Sequence, residues 1–146
     1  MMEKTAHFES VFQHLYQPGV MGVLIATREG FLLDSSLPLE DNLDDVASLV
    51  SSIAAFATRT VGHLYLGHFA SAMIEGENAL FTIVGAGEET MLGIVSARSI
   101  NRDRLMMRAR EGAEMTARIV EYIWHELPPM GGEPCSSSVR LSHIIQ

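Results

Sequence analysis

The order of the apolar blocks constrains this chain more than any other feature. The run Val20-Met21-Gly22-Val23-Leu24-Ile25-Ala26 reads as a strand and turns at Arg28-Glu29-Gly30 into a second, Phe31-Leu32-Leu33. A long helical stretch follows, from about Leu43 to Leu64. Three more strand-like runs then succeed one another with no helix between them: Phe69 to Ile74, Ala79 to Val84 and Met91 to Ala97. With a helical pattern at each end, the order is α-β-β-α-β-β-β-α. It predicts an α+β fold, a small antiparallel sheet covered by helices.

The end helices follow from spacing. Phe8, Val11, Phe12 and Leu15 recur at helical intervals before Pro18-Gly19. Leu105, Met106, Ala109, Ala113, Thr116, Ile119, Val120 and Ile123 form the stripe of a last helix. It starts near Asn101 or Asp103 and stops before Pro128-Pro129. The first strand is apolar on both alternating faces, which predicts cover on both sides. Gly30 can supply the positive φ of a three-residue hairpin. Residues 1–126 are expected to form one domain and 127–146, rich in Gly, Ser and Pro, a flexible tail.

The net charge of −8 is unevenly spread. Residues 1–97 carry three basic and twelve acidic side chains, whereas 98–118 carry six arginines against three acids. An acidic body argues against nucleic acid as a partner. The arginine cluster suits an acidic protein, a phosphate, or simply a solvated helix face. No apolar run reaches the length of a membrane span, so no membrane insertion is expected. The start lacks the basic end and apolar middle of a signal peptide, and a single cysteine fits a reducing compartment. The expected location is cytoplasmic.

No enzyme signature emerges, so no catalytic, cofactor-binding or metal-ligating residues are assigned. The six histidines make no metal-ligand pattern; His63 and His68 merely flank a turn. Gly85-Ala86-Gly87 lies between two strands, not at a strand-to-helix turn, so it is no dinucleotide loop. Cys135 has no evident base partner. Asp44-Asp45 and Glu88-Glu89 read as a helix start and a hairpin tip.

Two oddities remain. The long middle helix has a core stripe of Val46, Leu49, Val50, Ile53, Ala57 and Val61. Its other flank is Ala47, Ser48, Ser51, Ser52 and Ala55, all small, where a solvated face would carry Glu and Lys. Such a flank admits another helix at close range; its plainer readings are that it lies under a loop or is exposed and weakly polar. The strand from Phe69 to Ile74 starts a meander after a crossover helix, which places it at a sheet edge. It carries no Lys, Pro or inward charge, and an open apolar edge invites pairing. A symmetric homodimer joins both observations, with an interface of Ala47, Ser48, Ser51, Ser52, Ala55, Phe69, Ser71, Ala72 and Met73.

Over about residues 5–112 the chain resembles the roadblock/dynein light chain family. The resemblance rests on Pro18 to Ala26, the turn Arg28-Glu29-Gly30 before Phe31-Leu32-Leu33-Asp34-Ser35, the helix from Asp44 to Leu64, and closing strands ending in Leu92-Gly93-Ile94-Val95. It departs in Glu29-Gly30, where the family often has Asp-Gly, in a longer last helix, and in the tail. The resemblance implies a five-stranded antiparallel sheet between helices, and dimers that pair the third strand and pack the second helix on its mate. It also implies a platform without chemistry of its own. Bacterial members often regulate small Ras-like GTPases, including as activators; eukaryotic ones serve motors or signalling scaffolds.

The function expected is therefore a non-catalytic dimeric regulator or scaffold binding a small Ras-like GTPase, with Ser48, Ser52 and Arg59 as possible contacts. Arg59 is the isolated arginine near the shared surface, and its plainer reading is an ordinary surface charge. The alternative is a nucleotide-independent adaptor subunit of a motor or signalling complex. A small-molecule sensor ranks last, because Thr82 is almost the only inward polar candidate.

Overall fold

The computed structural model describes residues 2–38 and 42–126. The elements follow the expected order: α1 (Met2–Leu15), β1 (Val20–Thr27), β2 (Leu32–Ser35), α2 (Leu43–His63), β3 (Ser71–Glu75), β4 (Leu80–Ala86), β5 (Thr90–Ser96) and α3 (Arg102–Glu126). The five strands form one antiparallel sheet in the order β2-β1-β5-β4-β3. β3 therefore is an edge strand, as its place in the chain suggested. It begins at Ser71, two residues later than the apolar run implied. The expected tail, 127–146, lies outside the described residues, and with it Cys135 and Pro128-Pro129.

Strand alternation sends successive side chains into two cores. On one face Val23, Ile25, Leu80, Val84, Leu92 and Ile94 meet Phe8, Val11 and Leu15 of α1 and Leu105, Ala109 and Val120 of α3. On the other, Leu24, Ala26, Ile83 and Met91 meet Ala47, Val50 and Ala54 of α2. The sheet thus lies between helices, two on one face and one on the other. β1 feeds both cores, which explains its continuous apolarity.

Helix ends follow local chemistry. The Asn101 side-chain oxygen accepts from the Arg104 N–H at 3.0 Å and caps α3. Asp44 and Asp45 lie in the first turn of α2, where carboxylates suit the helix dipole. The end of α2 has a defined stop signal. Gly62 stays helical, and Tyr65 adopts the left-handed conformation at φ 57°. The Leu66 N–H donates to Val61 O at 2.8 Å and the Tyr65 N–H to Gly62 O at 3.2 Å. That is a Schellman motif with tyrosine where glycine usually sits.

Candidate interaction surface

The surface is built on α2. Its inner side is narrow, and Ala47, Val50 and Ala54 are buried against the sheet. One interface expectation is corrected here, because Ala47 is wholly enclosed by the chain's own core and cannot meet a second copy. Ser51 is also engaged internally. Its hydroxyl donates to the Arg28 carbonyl in the first hairpin, and Gly30 of that hairpin would place a Cβ 3.3 Å from Ser48 Cα and 3.5 Å from Ser51 Cβ. Part of the small flank therefore lies under a loop: it lets the β1–β2 turn approach. Gly30, at φ 102°, makes the turn itself possible.

The outward side carries Ser48, Ser52, Ala55 and Arg59, all exposed. Interleaved at helical spacing are two large apolar residues, Leu49 at 60% exposure and Phe56 at 67%. Leu49 was expected in the core; its position on the helix turns it away from the sheet. Phe56 carried no sequence expectation. The stripe continues past the helix into Leu64, Tyr65 and Leu66, all exposed, with Tyr65 at 93%. Arg59 makes no ion pair among the described residues. His63 uses Nδ1 on the Arg59 carbonyl at 2.9 Å, and no group of three His, Cys, Asp or Glu side chains among the described residues could hold a metal.

β3 forms the second part. Gly85 donates its N–H to Ala70 O at 3.2 Å, and Gly76 to Ala79 O at 2.8 Å. Antiparallel alternation then aims the amide groups of Ala72 and Ile74 at β4 and those of Ser71, Met73 and Glu75 at the open side. Met73 and Ile74 are 37% and 40% exposed. Phe69, expected at the edge, instead packs half-buried against the α2-side core.

The far end of β3 is tied down. Glu75 Oε2 accepts from Arg98 Nε at 2.8 Å and lies 2.6 Å from Arg98 Nη2 and 3.6 Å from Arg102 Nη2. The hydrogen bond and charge of Arg98, with Arg102 behind it, hold the Glu75 carboxyl below its ordinary range. Arg108 donates to His14 O at 3.0 Å, so half of the six-arginine cluster serves internal contacts. Thr82 is fully buried, and its hydroxyl has no partner among the described residues. No helix among the described residues is long and apolar enough to cross a membrane.

Comparison with known proteins agrees with the fold that carries this apolar outward helix and, among the described residues, the unpaired edge of β3. Two proteins of Methanocaldococcus jannaschii, MJ1340 and MJ0310, both described only as uncharacterized, are similar in sequence. MJ1340 is 26% identical over 66% of this chain and 83% of its own; MJ0310 is 28% identical over 55% and 70%. Among solved structures, an MglB with tetrameric arrangement superposes with a TM-score of 0.73 at 24% identity, covering 82% of this chain and 91% of that one. The gliding protein MglB of Thermus thermophilus gives 0.71 at 22%, over 82% and 92%. A Roadblock/LC7 domain of Streptomyces avermitilis gives 0.69 at 16%, over 79% and 96%. These likenesses establish the fold, and the family model for the Roadblock/LC7 domain matches residues 9–96: the chain belongs to the Roadblock/LC7 family.

Proposed function

We propose that this protein is a regulatory adaptor without chemistry of its own, which self-associates through α2 and the β3 edge and presents the resulting surface to a small Ras-like GTPase. The observation that carries the reading is the outward face of α2. Leu49 and Phe56 stand exposed on a helix whose inner face is already satisfied. Leaving such large side chains in water forgoes roughly 1.5–3 kcal/mol each relative to burial. A second copy supplies both missing partners at once, a strand for β3 and a helix for α2.

Pairing centred on Met73 would set Ser71 of one copy opposite Glu75 of the other. All outward amide groups of the strand are then used, and the two Glu75 side chains stay apart. Ser48, Ser52, Ala55, Ser71, Ala72 and Met73 remain in the proposed interface. Ala47 leaves it, Ser51 and Phe69 serve mainly the chain's own packing, and Leu49 and Phe56 enter.

The GTPase reading rests on membership of the Roadblock/LC7 family, on the fold shared with MglB structures, and on Arg59 and the Leu64-Tyr65-Leu66 turn standing free at the end of the same stripe. It is tested by affinity capture from the source organism's extract with a non-hydrolysable GTP analogue and, separately, with GDP. Enrichment of a GTPase with one nucleotide only supports a switch regulator. Identical partners under both conditions transfer the protein to the adaptor class, indifferent to nucleotide.

A further inference from the structure

A cleft of about 530 Å³ opens where the chain enters β3, between the β4–β5 turn and the middle of α3. Arg28 and Arg110 border it from elements 82 positions apart in sequence. Neither arginine takes part in an ion pair among the described residues. Arg28 is partly buried. Its Nη2 donates to Gly87 O at a long 3.3 Å, and its Nε is buried with no partner among the described residues. A guanidinium has five N–H donors in a fixed plane, so most of this one's capacity is unused.

The backbone that carries it is nevertheless held in place. The Arg28 N–H donates to Glu89 O at 2.9 Å, and its carbonyl accepts the Ser51 hydroxyl. The guanidinium lies over Gly85, where a Cβ would stand 3.2 Å from Nη2. A positioned, under-used guanidinium beside a second arginine is the chemistry that recognises oxygen anions, through paired N–H···O contacts. The geometry points to this cleft as a binding site for a small oxyanion, a phosphate or a carboxylate group, held by Arg28 and Arg110. Glu114, one turn after Arg110 on the same wall, opposes the anion and sets a sign for the test. The site adjoins Ala70, which bonds Gly85 at the mouth of β3, so its occupancy reaches the strand that forms the open edge.

The test is an amide-resolved NMR titration of the full chain with inorganic phosphate, and separately with succinate, against chloride at equal ionic strength. The expected result is saturable, millimolar shifts at Ala70, Gly85 and Gly87 that chloride does not produce. Arg110→Gln, a change at an exposed helix position, should weaken the response at least tenfold, and Glu114→Gln should strengthen it. Saturation by phosphate alone assigns a phosphoryl group, and by succinate alone a carboxylate. The proposal is overturned if those amides fail to saturate with either anion. It is equally overturned if saturation persists unchanged in both Arg110→Gln and Arg28→Gln while their amide spectra remain dispersed.

Discussion

The two faces of the sheet are closed in different ways. One is covered by α1 and α3, which pack on each other and enclose Leu105, Ala109 and Thr116 completely. The other, among the described residues, carries α2 alone. Five strands place the outer two roughly 19 Å apart, whereas one helix with its side chains is about 10 Å across. A single helix cannot roof such a sheet, and here its own outer side is apolar too. On the proposed reading, the two-helix face answers to folding and the one-helix face to association.

That division is broken most directly from the closed side. Leu105→Ala deletes a fully buried side chain of α3 and should cost about 2–5 kcal/mol, read as a fall in melting temperature of roughly 5–15 °C. Self-association of the folded fraction should be unchanged. If Leu105→Ala instead changes the mass of the folded protein without lowering its melting temperature, the assignment of the two faces is reversed.

The open side should respond in the opposite sense. Phe56→Glu puts a charge where the proposed mate would lie, and loss of an aromatic anchor costs an interface about 2 kcal/mol or more. Light scattering should show the mass fall from two copies toward one, with circular dichroism preserved. Ser51→Glu would be a poor substitute, because Ser51 bonds the chain's own hairpin. The strand register can be tested covalently. In a Cys135→Ser background, Met73→Cys should form a disulfide between copies, since hydrogen-bonded antiparallel pairs hold Cα atoms about 5.5 Å apart, within disulfide reach. Failure to crosslink in a sample that remains dimeric would exclude a register centred on Met73.

Tyr65 sharpens the comparison at a smaller scale. A left-handed conformation costs a non-glycine residue roughly 1–2 kcal/mol, part of which glycine returns through greater freedom in the unfolded chain. Tyr65→Gly should thus stabilise the protein by about 0.5–1 kcal/mol, a rise of a few degrees in melting temperature. If the exposed ring belongs to the partner surface, the same change should weaken capture of that partner. Greater stability with undiminished capture would remove Tyr65 from the surface.

The sequence disclosed the architecture and only part of the surface. Block order and alternation were enough for the sheet, its edge strand and both cores, because those signals repeat every two or every 3.6 residues. Orientation at the rim of a helix was harder. Leu49 fits the stripe of Val46 and Val50 by spacing, yet lies one step too far around to touch the sheet. The small flank was ambiguous for a physical reason: a closely approaching hairpin and a closely approaching mate both demand small side chains, and Ala47 and Ser51 answer to the chain's own packing. Tyr65 left no trace, since the hydrogen bonds of the helix end impose its conformation. The Arg28–Arg110 cleft was likewise invisible, because only the folded chain brings residues 28, 70, 85 and 110 together.

The smallest expected effect lies where the two faces meet, at the end of β3. Glu75 is bound by Arg98 and Arg102, which lead into α3, so the open edge is anchored to the closed face through one carboxylate. Its pKa is lowered in the folded protein, chiefly by the Arg98 hydrogen bond and then by the charges of Arg98 and Arg102. A carboxyl whose folded pKa lies below its unfolded value stabilises the protein above the unfolded pKa, and that contribution is lost as pH falls through the folded one. Stability of the wild type should therefore decline on acidification below the ordinary glutamate range of about 4–4.5. Glu75→Gln should remove that part of the decline while leaving the neutral-pH melting temperature slightly lower. The pair is exposed, so the difference should shrink further in high salt. Parallel acid limbs for wild type and Glu75→Gln would mean that the arginines do not anchor the strand, and that β3 keeps its place through its pairing with β4 alone.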